Sequence, residues 1–183
     1  MTENYVERVM EMLGEPSWRN RDREAWRALE SELGTALPTD YKEIVDAYGP
    51  VKINGHLYLS HPATVRWNLG EDIRTTSRSW AEIEWDEDEP EGDPRISLDV
   101  PELVFDTPDV LIPIAATDRV EQIFNAPRGA SGKGSIFIES GDYEFFEFSC
   151  SFAEWHPGPV VLQDLPMTPD ERPEKRYGPS RGM

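Results

Sequence analysis

The stretch from residue 26 to residue 49 restricts the fold of this chain more tightly than any other. Trp26, Leu29 and Leu33 recur at i, i+3 and i+7, so they share one face of a helix. Gly34 follows and supplies the left-handed residue that a helix C-terminus needs. A second helix begins a short elbow later, beyond Leu37-Pro38. The spacing places Asp40 as its N-cap and Glu43 as the reciprocal partner three positions on. Tyr41, Ile44, Val45 and Tyr48 form its buried stripe, and Gly49 ends it. Two short amphipathic helices joined by a Leu-Pro elbow leave few ways to pack what surrounds them.

The flanking sequence is readable at a coarser level. Val6, Val9, Met10 and Leu13 predict an N-terminal helix ending at Gly14. Val51, Ile53, Leu57 and Leu59 alternate around Asn54-Gly55, a strong hairpin signal. Val65, Leu69, Ile73, Thr76, Trp80 and Ile83 step by three or four, which predicts a further helix, with Gly70 weakening it. Four apolar segments follow as expected strands: Leu111–Ala115, Val120–Asn125, Ser135–Glu139 and Tyr143–Ser149. Ser140-Gly141-Asp142 reads as a tight turn between the last two. A last short helix carries Phe152 and Trp155. Beyond it, residues 157–183 are rich in Pro and charge and are expected to be largely disordered. Helices first and hairpin-linked strands later predict an α+β fold. The sheet is expected to be mostly antiparallel, with helices packed on one face.

Charge sets limits on partners. The chain of 183 residues carries 36 acidic and 18 basic side chains, a net charge of −18. Phosphate backbones and anionic membrane surfaces both need Lys and Arg, so generic nucleic-acid or membrane-surface binding is disfavoured. A basic protein partner is favoured, because complementary fields speed encounter. A surplus of acid also keeps a protein soluble with no partner at all. No apolar run reaches the roughly 20 residues needed to span a bilayer, and the N-terminus lacks the pattern of a signal peptide. Cys150 is the single cysteine, which fits a reducing cytoplasm.

The acid is concentrated. Between Glu82 and Asp109, Arg95 is the only basic residue, and Pro90, Pro94, Pro101 and Pro108 break regular structure. The segment 84–109 reads as a long acidic surface loop with a short strand at Arg95–Leu98. A loop of that length is either functional or a solvated insertion. The functional reading makes Asp86, Glu87, Asp88, Glu89, Glu91 and Asp93 partner-contact residues, with Trp85 as an aromatic anchor.

A search for catalytic or ligand-binding chemistry gives little. His56 and His61 flank one strand at odd spacing and point to opposite faces, so no shared metal is expected. His56 is placed on the hairpin surface and His61 at the strand end. Cys150 lies among Glu144, Glu147 and Glu154, which oppose a thiolate, so a packed, inert thiol is expected. Glu144 and Glu147 are three apart on a strand and diverge, unlike a glycosidase pair. The Gly-rich run at residues 129–134 lacks Walker spacing and leads into a strand. The acidic run from Asp86 fails the EF-hand pattern, with Pro90 and Glu91 at its fifth and sixth positions. The cluster Tyr143, Phe145, Phe146, Phe148 and Phe152 reads as core and sheet packing. No catalytic residue, metal or cofactor is expected, and the chain is read as a non-enzyme.

The order Leu33-Gly34, Leu37-Pro38, Asp40-Tyr41-Lys42, Tyr48-Gly49 resembles the SMI1/KNR4 family of the SUKH superfamily. The likeness extends more weakly through Leu57-Tyr58-Leu59, His61-Pro62, Leu111-Ile112-Pro113, Phe152 and Trp155. Where many bacterial relatives carry Asn-Gly and then a Trp, this chain has Thr117-Asp118-Arg119-Val120-Glu121 and then Phe124. The resemblance implies a domain over residues 22–156 bearing the acidic loop, preceded by a helix and linker (1–21) and followed by the Pro-rich tail. It implies that Trp26, Leu33, Gly34, Leu37, Pro38, Tyr41, Tyr48 and Gly49 define the fold and do not touch a partner. It implies a non-catalytic, cytoplasmic immunity protein that neutralises a cognate basic toxin, such as a nuclease, of a polymorphic toxin system. The alternative it implies is a regulatory scaffold recruiting signalling or cell-wall synthesis partners, here through residues 157–183.

Overall fold

The computed structural model describes residues 4–83, 92–101, 103, 105, 110–127, 134–155 and 162–164. Its elements are α1 (Tyr5–Leu13), α2 (Arg23–Leu33), α3 (Thr39–Tyr48), β1 (Val51–Ile53), β2 (Leu57–Leu59), α4 (Leu69–Ala81), α5 (Pro94–Leu98), β3 (Ile112–Thr117), β4 (Gln122–Ala126), β5 (Ser135–Glu139), β6 (Phe145–Phe148), α6 (Phe152–Trp155) and β7 (Leu162–Asp164). The strands form one sheet in the order β6-β5-β4-β3-β2-β1-β7, every neighbouring pair antiparallel. The fold is therefore α+β, as the order of periodic segments implies. The β7 strand, which pairs with β1, lies within the tail and has no counterpart in the sequence reading.

Side-chain alternation divides the sheet into two apolar layers. Val51, Ile53, Leu57, Leu59, Ile112, Ile123 and Ile136 point to one face and form a core with Val9, Trp26, Leu29, Tyr41, Ile44, Val45 and Phe152 from the helices. Phe124, Phe137 and Phe145 point to the other face. There they meet Trp80 from the end of α4 and Phe105, Val110 and Leu111 from the chain preceding β3.

The α2–elbow–α3 unit is tied through its polar side chains. Asp22 starts α2 by accepting from the N–H groups of Glu24 and Ala25 at 2.9 and 3.2 Å. Gly34 ends it at φ 69, in the left-handed region. Glu30 reaches across the elbow, accepting from Leu37 N–H at 2.9 Å and from Lys42 Nζ at 2.6 Å. The Tyr41 hydroxyl is fully buried and donates to the Ile114 carbonyl at 2.8 Å. That carbonyl lies in a β-bulge between Pro113 and Ala115. Proline cannot donate to a ladder, so the strand bulges there and frees an acceptor. Tyr48 donates to the Gly14 carbonyl at 2.6 Å, fixing the end of α1 against α3.

Two local expectations give way to tertiary structure. Asp40 does not cap its own helix. α3 starts at Thr39 with Pro38 in the cap position, and Asp40 accepts from Ala153 N–H at 2.7 Å, at the start of α6. A helix begun by the fixed φ of Pro38 leaves that carboxylate free to satisfy an orphan N–H far along the chain. Residues 95–98 are helical, not a strand. Asp93 caps them through Arg95 N–H at 2.9 Å, Pro94 occupies the first helical position, and Asp99 closes the turn at φ 54.

Asp46 of α3 holds the second half of the domain. Its Oδ1 accepts from Trp26 Nε1–H at 2.7 Å and from His61 Nε2–H at 3.2 Å, and its Oδ2 lies 3.8 Å from Arg21 Nε. The tautomer follows from the other ring nitrogen, because His61 Nδ1 accepts from Ala63 N–H at 3.1 Å. The imidazole is fully buried and sits edge-on to Trp26 at 5.8 Å. Burial pushes the His61 pKa below its ordinary value, against the opposing pull of Asp46 and Asp22. The unfolded chain therefore takes up a proton that the folded chain refuses. Stability is full above the ordinary histidine value of about 6.5 and falls as the pH drops below it.

His61→Gln should lower stability by roughly 1–3 kcal/mol at pH 7.5, by losing packing and a well-placed donor. Glutamine does not titrate, so the gap between variant and parent should narrow between pH 7.5 and 5.5 in urea unfolding. A constant or widening gap would contradict the neutral, buried imidazole. In the β3–β4 turn, Val120 is held at φ 67, a conformation that costs a β-branched residue about 1–2 kcal/mol. Val120→Asn should raise the unfolding midpoint by the equivalent of about 1 kcal/mol with an unchanged m-value. An unchanged midpoint would show that the turn carries no such strain.

Candidate partner-binding surface

The residues that flank the acidic run are well packed. Trp80, in the last turn of α4, meets Phe105, Phe124 and Phe145 with ring centroids 5.4, 5.5 and 6.0 Å away. Ile83 packs on the same cluster as the chain leaves the helix. The chain returns at Gly92, which lies at φ 72 against the Phe145 main chain. A Cβ there would stand 1.9 Å from the Phe145 carbonyl oxygen, so only glycine fits. Trp80 and Gly92, which bracket residues 84–91 in sequence, thus both meet the first residue of β6. Trp85, Asp86, Glu87, Asp88, Glu89 and Glu91 lie outside the described residues.

Asp93 is described, and its side chain is 3% exposed. Besides capping α5, its carboxylate pairs with Arg95, at 2.8 Å from Nε and 2.6 Å from the terminal nitrogen. Burial pushes the Asp93 pKa up, but the hydrogen bonds and charge of Arg95 outweigh it and hold the carboxyl below its usual range. The one basic residue of the acidic segment is thereby engaged within the chain.

The other singled-out groups separate in space. His61 belongs to the buried Asp46 network. His56 lies half-exposed at the β1–β2 turn, with Nδ1 hydrogen-bonded to Asp118 and Nε2 3.2 Å from Glu121. The hydrogen bond from His56, against a small burial effect and with help from the charges of His56, Lys52 and Arg119, holds the Asp118 carboxyl below its usual range. Asp118 and Glu121 are too far along the chain from His56 for sequence spacing to link them. Their meeting follows from the register Leu57↔Thr117. Among the described residues no group of three or more His, Cys, Asp or Glu side chains could hold a metal ion. His156 lies outside them.

Cys150 is partly buried, and burial, Glu154 and Asp40 together push its thiol pKa up, which disfavours the nucleophilic thiolate. Glu147 accepts from Ser135 Oγ at 3.0 Å, across the β5–β6 pair. Glu139 is buried, and its carboxylate accepts from Tyr143 N–H at 2.7 Å to close the β5–β6 turn. Burial raises its pKa despite those main-chain bonds. Of the aromatic cluster, Phe145 and Phe152 are core, whereas Phe146 and Phe148 are 50% and 38% exposed. They alternate onto the helical face of an edge strand, where little covers them.

No described helix is long and apolar enough to cross a membrane. Comparison with curated proteins and with solved structures gives no significant match. The family model SUKH_6, described as SMI1-KNR4 cell-wall, matches residues 23–155, from the start of α2 to the end of α6. Its span takes in the Trp26–Asp46–His61 network, the Tyr41–Ile114 bond and both apolar layers except for Val9 and Leu13 of α1. The chain belongs to the SMI1-KNR4 family of the SUKH superfamily.

Proposed function

We propose that this chain is a non-catalytic, cytoplasmic immunity protein that binds and neutralises a basic toxin, such as a nuclease. The observation that carries this reading is the acidic segment on its base. Trp80 before it and Gly92 after it pack against the same residue, Phe145. Family membership supports the class, and the net charge of −18 supports a basic partner. The contact residues in this reading are Asp86, Glu87, Asp88, Glu89 and Glu91, with Trp85 as the apolar anchor and Asp93 holding the segment's root. The motif residues of α2 and α3 supply the fold, since their polar atoms are already satisfied inside the chain.

Surface carboxylates on such a segment act mainly on the rate of encounter, and a central tryptophan acts on the lifetime of the complex. The variant Asp86→Asn, Glu87→Gln, Asp88→Asn, Glu89→Gln, Glu91→Gln should associate with the toxin at least about tenfold more slowly at low salt. It should also show a flatter salt dependence and an unchanged unfolding midpoint. Trp85→Ala should instead speed dissociation. Stopped-flow association and a toxin-activity assay read both effects. Unchanged rates in the neutralised variant would remove the segment from the interface. Loss of binding on truncation at residue 165, which spares β7, with the neutralised variant still binding, would favour the scaffold reading.

A further inference from the structure

The acidic run is followed directly by an ordered helix, α5, whose outer face is apolar. Pro94 is buried, and Leu98, four residues on, packs against the aromatic layer of Trp80, Phe105 and Phe145. The two share one side of the helix, which turns Ile96 to the opposite side. Ile96 is 73% exposed.

A single exposed aliphatic residue is ordinary on a protein surface. Two features set this one apart. The first is its mounting. Asp93 caps the helix through Arg95 N–H, and Pro94 fixes the first helical position. At the other end Val100 N–H donates to the Arg95 carbonyl at 3.1 Å, past Asp99 in the left-handed region. Gly92 abuts the Phe145 main chain just before the cap. The main chain on both sides of Ile96 is therefore set before any partner arrives, so little ordering is left to oppose binding.

The second feature is electrical. Arg95 is the only basic residue between Glu82 and Asp109, and it stands next to Ile96 in the chain. The buried Asp93 carboxylate holds its guanidinium and offsets its charge. Asp99, three residues beyond Ile96, is exposed. An apolar side chain on an ordered mount in an acidic stretch matches an apolar depression bordered by Lys or Arg, whose methylene stems widen the contact.

We propose that Ile96 is an apolar anchor for the basic partner, seated in a depression bordered by basic side chains. The proposal rests on the partner reading above and deepens it, by naming a described residue and the kind of surface it meets.

The test uses the basic protein that the intact chain retains at moderate ionic strength, followed by stopped-flow association and by dissociation after dilution. Ile96→Ser should dissociate about tenfold faster, the loss expected for one buried aliphatic side chain. Its association should change by less than about twofold, and its urea midpoint should match the parent's. Ile96→Val should keep most of the parent's lifetime. Unchanged dissociation of Ile96→Ser would overturn the proposal. A lowered midpoint would also overturn it, because it would show that Ile96 packs within its own chain. The partner reading fails by a different result: unchanged association of the variant neutralised at residues 86–91. Faster dissociation of Ile96→Ser alongside that result would keep the anchor and remove the electrostatic contact. Retention of no basic protein would overturn both.

Discussion

The Asp46 carboxylate is the interaction on which the rest of this domain depends. It receives Trp26 from α2, His61 from the chain after β2 and, at longer range, Arg21 from the α1–α2 connection. Removing any donor leaves a largely shielded charge short of a partner, which costs more than the bond itself returns. Tyr41 and Asp40 of the same helix extend the reach, to the bulge at Ile114 and to the start of α6. Tyr41 also packs edge-on against Phe152 at 5.0 Å. One ten-residue helix thus secures the β2 exit, the centre of the sheet and the final helix.

That concentration divides the molecule's labour. The motif segment meets the weaker parts of the family pattern in turn: His61 through Asp46, the bulge after Pro113 through Tyr41, and Phe152 through Tyr41. Its polar atoms are occupied by the fold and have little left to offer a partner. In the proposed reading, recognition uses surface that the network leaves alone. One such region is the acidic segment, which Trp80 and Gly92 bracket in sequence. It combines carboxylates with the Trp85 ring, which suits an Arg-rich or Lys-rich surface.

Local periodicity carried much of this structure. α1, α2, the stripe of α3, the Asn54-Gly55 hairpin and the strands after residue 111 all follow from spacing and turn residues. The strand expected at Arg95–Leu98 is a helix, because four prolines and many acids in the surrounding segment mask one cap, Asp93, and one N1 proline, Pro94. Asp40 has a capping pattern in sequence, and only the arrival of α6, 113 residues on, shows which N–H it serves. Burial of His61 and Glu139 and the meeting of His56 with Asp118 and Glu121 depend on register between distant strands, which no local pattern encodes. The Val120 turn is a further case, since a β-branched residue gives no sign that its position needs positive φ.

Affinity isolation from the source cells, with the intact chain as bait at low and then moderate ionic strength, addresses the central claim most directly. Mass spectrometry should identify one basic protein retained at close to one-to-one ratio, with a toxic activity that is suppressed in the complex. Recovery of no basic protein, or of several unrelated proteins held through the residues beyond β7, would contradict it.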